Sequence, residues 1–191
     1  MTIRIVGIGG TVNPGNTTEM ALRLAASQAE AEGAEVTIFG GEYLVRLPHY
    51  RGTGDDAEHG AELVEAVRRA HGVIIAAPGY HGTISGLVKN ALDYLEDLAK
   101  DERPYLDGRA VGLISTAYGD QASVSALVTL RGIVHALRGW PTPMGATIRI
   151  HHGLFSPDGE CVEEPTRTQL ELVGQQTLRG ARVLASLDAG K

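Results

Sequence analysis

Residues 73–95 read VIIAAPGYHGTISGLVKNALDYL. The segment Gly72–Ala77 is an unbroken run of β-branched and small apolar residues, as expected of a central strand covered on both faces. Pro78, Gly79, Gly82, Ser85 and Gly86 then punctuate the chain as turn formers. Beyond them Leu87, Val88, Leu92, Leu95 and Leu98 recur at helical spacing and predict a helix over 84–99. The same strand-then-helix alternation extends outward in both directions. Short β-branched runs at Ile3–Ile8, Glu35–Phe39, Arg109–Ser115 and Thr147–Ile150 predict strands, and 17–32, 57–71, 122–138 and 163–187 carry helical periodicity. Strands alternating with helices of this length imply βαβ units, hence a parallel sheet with helices on both faces.

Five strands and five helices favour a flavodoxin-like, doubly wound five-stranded parallel sheet of order 2-1-3-4-5 over a six-stranded dinucleotide fold. The 191 residues accommodate one domain spanning 1–191, without repeat, low-complexity tract or linker. The longest irregular stretch, 40–56, is either a surface excursion near the ligand edge or a plain connection. An apolar fraction of 43% excludes wholesale disorder, and a net charge of −6 without a basic block argues against nucleic acid as a partner. No apolar stretch approaches the ~18 residues of a membrane span, and the first residues carry no secretory pattern, so a cytoplasmic location is expected. The single cysteine, Cys161, excludes an intramolecular disulfide and a cysteine-rich metal cluster.

Gly9 to Glu19 read GGTVNPGNTTE between the first strand and its helix. The dinucleotide fingerprint fails because Val12 stands where its last glycine should be, and Asn16 replaces the lysine of a P-loop. What remains is a glycine-rich turn with Thr11, Asn16, Thr17 and Thr18 as short donors at a helix N-terminus, suited to a phosphate monoester. An ordinary helix cap, Asn16 paired with Glu19, is the alternative. The third strand ends in APGYHGTISG (77–86) and the fourth in STAYGD (115–120). Ligands of open α/β sheets sit beyond the carboxyl ends of strands, so the three loops can converge on one molecule.

The stretch APGYHGTISGLVKNALDYL resembles the signature loop and helix of the NAD(P)H-dependent FMN reductase family, which is flavodoxin-like. GGTVNPGNTTE resembles that family's phosphate loop, LISTAYGD its third flavin loop, and FSPDGECVEEPTRTQLELVGQQ its closing turn and helix. The resemblance implies that Gly10, Thr11, Asn16, Thr17 and Thr18 hold the FMN phosphate. It further implies that Pro78, Gly79, Tyr80, His81 and Gly82 wrap the isoalloxazine, with Ser115, Thr116, Ala117, Tyr118 and Gly119 at its other edge. The chain departs from the family pattern at Val12, Asn13, Pro14, Gly79 and His81. The implied activity is hydride transfer from NADPH or NADH to FMN, with reduced flavin passing to a flavin-dependent monooxygenase or another acceptor. Two alternatives stand beside it: a tightly FMN-bound reductase of quinones, azo dyes or metal oxyanions, and a non-enzymatic flavin-binding electron carrier. Orientation is the protein's main task in such chemistry, so no catalytic side chain is required. Tyr80 and Tyr118 are candidates to pack on the ribityl chain or an incoming ring. Arg46 and Arg51 are candidates for a nicotinamide 2′-phosphate.

Other chemistries find little support. Of the 7 histidines, His151 and His152 are adjacent and would face opposite sides of a strand, and no metal motif with helical spacing occurs. No nucleophile elbow is present, and Cys161 sits among acidic neighbours that disfavour a thiolate. Trp140 is expected as a core or interface anchor. Helices 84–99 and 122–138 are apolar around more of their girth than one sheet face needs, and the resemblance implies a homodimer or homotetramer.

Overall fold

The structure, a computed structural model, describes residues 1–52 and 57–188. Its strands are β1 (Arg4–Gly9), β2 (Glu35–Phe39), β3 (Gly72–Tyr80), β4 (Thr83–Ile84), β5 (Ala110–Ala117) and β6 (Trp140–Arg149). The helices are α1 (Thr17–Ala31), α2 (Gly41–Leu44), α3 (Ala57–Arg69), α4 (Gly86–Asp93), α5 (Asp120–Ala136) and α6 (Glu164–Asp188), with a 3₁₀ turn at Tyr94–Leu98. Five strands are parallel and lie in the order β2-β1-β3-β5-β6. Strand alternation divides the core between the sheet's two faces. Val73, Ile75 and Ala77 of β3 pack with Leu63 and Val67 of α3, Val88 and Leu92 of α4, and Leu130 and Val134 of α5. Ile74 and Ala76 point the other way, into a layer with Ala21, Leu22 and Ala25 of α1 and Leu170 and Val173 of α6.

Three expectations need correction. The sheet has six strands, not five: His81 (φ 48°) and Gly82 (φ 88°) form a two-residue turn with both central residues left-handed. That geometry folds Thr83–Ile84 back as an antiparallel partner of Gly79–Tyr80, so β3 runs on past Ala77 through Pro78. The last strand begins at Trp140, not Thr147, because Pro141 and Pro143 are tolerated on an edge strand at a register irregularity between Pro141 and Gly145 in its pairing with β5. It ends at Arg149, so His151 and His152 follow the strand, and His151 Nε2 lies 2.9 Å from Glu163 Oε1. Trp140 is 60% exposed and is no core anchor. Of the 40–56 excursion, Gly41–Leu44 is helical and Thr53–Asp56 lie outside the described residues.

Arg109, read from sequence only as a strand-opening residue, is fully buried at the amino edge of the sheet. Its guanidinium donates to the Val67, Arg68, Tyr105 and Asp107 carbonyls at 2.8–3.1 Å, so it satisfies the last turn of α3. Burial, with help from the Arg103 charge, pushes its pKa down to about 10, which still leaves it protonated at neutral pH.

Candidate functional site

Adjacent strands bring the three loops to one edge. Gly9 at the end of β1 lies in register with Ala76, and Pro78 of β3 lies in register with Thr116 of β5. The turns 10–16, 78–85 and 117–119 therefore emerge side by side, and the residues expected to hold FMN lie in these turns or directly beside them. They divide by where their side chains go.

In the first loop, Asn16 is the N-cap of α1: its Oδ1 accepts from Glu19 N at 3.0 Å, and its Nδ2 donates to Asn13 O at 2.7 Å. Thr11 Oγ1 accepts from Asn13 N at 3.3 Å and shapes the turn. Thr18 is buried and turned inward, its hydroxyl 2.7 Å from the Thr116 hydroxyl. Among the described residues the Thr17 hydroxyl has no partner. Helix geometry also leaves the Thr17 and Thr18 N–H groups without intrahelical acceptors. The donors this loop leaves free are thus mainly backbone, at the positive end of α1. None of the three loops contains a lysine or arginine.

In the second loop, a Cβ on Gly79 would lie 2.9 Å from Ala122 O and 3.2 Å from Ala126 Cβ, so only glycine lets β3 approach α5 this closely. Ser85 N donates to Pro78 O at 3.1 Å, and Ser85 Oγ caps α4 by accepting from Val88 N at 3.3 Å. Tyr80, at the hairpin, is 50% exposed. In the third loop, Ser115 is buried and its hydroxyl donates to Ser123 O at 2.7 Å. Ala117 is buried, Tyr118 is 80% exposed, and the Gly119 carbonyl accepts from Ala122 N and Ser123 N to start α5. Tyr80 and Tyr118 thus both stand exposed where the adjacent strands β3 and β5 end, on the same sheet edge as the N-terminus of α1. Among the described residues no three histidine, cysteine or carboxylate side chains cluster so as to hold a metal ion. Burial raises the Cys161 pKa, against the opposing hydrogen bond from its thiol to the Glu163 carbonyl.

A sequence profile described as NADPH-dependent FMN reductase matches residues 3–152. The chain belongs to this family. Membership makes it an NAD(P)H:FMN oxidoreductase, with FMN as its flavin and a nicotinamide nucleotide as the hydride source. It is 28% identical over 164 residues to an NADPH azoreductase of Bacillus sp. (strain OY1-2), covering 85% of this chain and 84% of that protein. An FMN-dependent NADPH-azoreductase of Staphylococcus aureus is 38% identical over 82 residues, 43% of this chain and 40% of that one. Among solved structures, the FerB flavoenzyme NAD(P)H:(acceptor) oxidoreductase of Paracoccus denitrificans superposes with a TM-score of 0.76 at 19% identity, covering 95% and 98% of the two chains. An apo NADH:FMN oxidoreductase (EMOB) superposes at 0.69 with 21% identity, over 93% and 89%.

The loops of this FMN reductase follow from its strand–helix pattern, but the bonds that fix them do not. The Thr18–Thr116 and Ser115–Ser123 contacts and the 79–84 hairpin carry the geometry. Only the hairpin had a local signal, the His-Gly pair after a strand.

Proposed function

We propose that this sheet edge binds FMN with its phosphate against Gly10, Thr11, Asn16, Thr17 and Thr18, and its ring between Pro78–Gly82 and Ser115–Gly119. In this reading flavin exchanges with solvent and leaves reduced, to serve a flavin-dependent monooxygenase or another acceptor, in the cytoplasm. The observation that carries it is the make-up of the phosphate end. The loop offers amides, one unpartnered hydroxyl and a helix terminus but no cationic side chain, which suits binding and release more than permanent retention. When bound, the flavin ring supplies the site that accepts hydride from the nicotinamide. The protein's part is orientation: Thr17 and the first amides of α1 fix the tail, the hairpin backbone offers N–H groups to the ring edge, and Tyr80 and Tyr118 border the approach of a second ring.

The test is an absorption spectrum of the purified protein, desalted after mixing with FMN, followed by NADPH and NADH oxidation with and without added FMN. A colourless protein whose turnover requires added FMN is the expected result. The Bacillus relative's name supports a second reading, a reductase that keeps FMN and acts on azo compounds. Flavin bands that survive desalting, with dye reduction needing no added flavin, would favour it. No turnover with either nucleotide would defeat both.

The assembly is part of the proposal. α4 sends Val88, Ala91 and Leu92 into its own core, so that helix does not supply the extra apolar face expected of it. Val124 and Val128, one turn apart on α5, remain 51% and 64% exposed beside the third loop. We infer a homo-oligomer that covers this face, tested by light scattering of the wild type and the Val128→Glu variant.

A further inference from the structure

We propose that Glu19 is a positioning residue that holds the phosphate loop in shape from behind, an inference that rests on the phosphate-loop reading above. Glu19 is the third residue of α1, the position from which a carboxylate ordinarily reaches back to its own helix cap. Here it turns to a different element. Its Oε1 accepts from Arg23 Nε at 3.1 Å and Nη2 at 2.7 Å, and its Oε2 accepts from Gly41 N at 3.3 Å. Gly41 opens α2, whose own N-cap, Gly40, has no side chain to bond the orphan amide. Glu19 supplies that cap from another helix.

The packing around it leaves no slack. A Cβ on Gly40 would lie 2.9 Å from Glu19 Oε1, one on Gly41 1.8 Å from Thr11 O, and one on Gly10 2.8 Å from Gly41 N. The Gly40–Gly41 turn thus rests backbone to backbone on Gly10–Thr11, and the Glu19 side chain, only 13% exposed, pins that contact in place. Arg23 offsets the carboxylate's charge, so that an anion-binding loop tolerates a carboxylate beneath it. Glu19 therefore sets the curvature of the loop through Gly41 and Thr11. Its loss should be felt by the flavin's phosphate and not by its ring.

The experiment compares wild type, Glu19→Ala and Glu19→Gln for FMN and riboflavin affinity by quenching of flavin fluorescence. Hydrogen exchange of 10–16 and 39–44 in the flavin-free proteins is measured alongside. Glu19→Ala is expected to weaken FMN about tenfold, equivalent to about 1.4 kcal/mol. It should leave riboflavin within twofold and speed exchange in both segments. Glu19→Gln keeps an acceptor for Gly41 N and should remain within about threefold of wild type for FMN. Equal losses for FMN and riboflavin, unchanged FMN affinity in Glu19→Ala, or a Gln variant as weak as the Ala variant would each overturn the proposal. A wild type that binds neither flavin would defeat the phosphate-loop reading. The exchange data would still report whether Glu19 braces the two segments.

Discussion

The Thr18–Thr116 contact joins the start of α1 to the end of β5, and so ties the first candidate loop to the third. Both side chains are buried, and each hydroxyl has the other as its partner at 2.7 Å. Thr18→Val keeps the shape and removes one hydroxyl, which strands the other in an apolar seam at a cost of about 2 kcal/mol, within the usual 1–3. Thr116→Val should cost about the same. The double variant removes both hydroxyls and leaves no orphan, so its cost should be about 1 kcal/mol or less. Additivity would give about 4 kcal/mol, so the expected coupling is roughly 3 kcal/mol. For a chain of 191 residues, 1 kcal/mol corresponds to about 2–4 °C in Tm. Each single variant should then melt about 4–8 °C below wild type, and the double no more than about 4 °C below. Urea unfolding followed by circular dichroism measures all four proteins. Single effects that add to within about 0.5 kcal/mol would show that the pair contributes nothing as a pair, and would refute the reasoning.

Three further outcomes follow from single positions. Gly79→Ala must move Ala122 O or lift the hairpin from α5, so it should lose about 1–3 kcal/mol in a thermal melt and weaken FMN in a fluorescence titration. Tyr50 donates to Asp97 Oδ1 at 2.9 Å, and burial together with that bond raises its pKa to about 12. A raised pKa means stability present below pH 10 and lost as pH climbs toward 12, a loss that Tyr50→Phe should remove from the alkaline unfolding profile. His71 Nδ1 accepts from Arg4 N at 3.0 Å, and burial, then the charges of Arg103, Arg4 and Arg109, lower its pKa. The fold keeps this imidazole neutral, so its contribution is complete above about pH 6.5 and declines as pH falls below that value. His71→Gln should flatten the dependence measured in urea between pH 7 and 5.

Fold class was legible because it depends on periodicity. The runs at 72–77 and 109–115 alternate between two apolar layers, and only a doubly covered sheet accepts such strands. The strand limits were less legible. Pro78 reads as a terminator, yet β3 continues through it because φ near −65° is compatible with an extended chain and its missing N–H faces no obligatory partner there. Trp140–Pro143 reads as a loop for the same reason, and becomes strand because an edge position spares a proline its ladder bond.

The convergence of the three candidate loops on one sheet edge was legible, and their contacts were not. Thr17 and Thr18 are identical in type and adjacent, and helix geometry sends them in different directions. One keeps an unpartnered hydroxyl, while the other is spent on Thr116, 98 residues away. Ser115 is likewise committed to Ser123, and Asn16 to its own helix cap. A short hydroxyl or amide has the same chemistry whether it faces a phosphate or a neighbouring strand, so composition cannot sort the two. The sorting has a consequence for engineering. Thr18→Ser or Ser115→Ala would perturb flavin binding only through the relative placement of the loops. Thr17→Val removes the unpartnered hydroxyl itself, so it should act on affinity with little change in Tm. A Thr17→Val protein that melts many degrees lower with FMN affinity intact would reverse that assignment of roles.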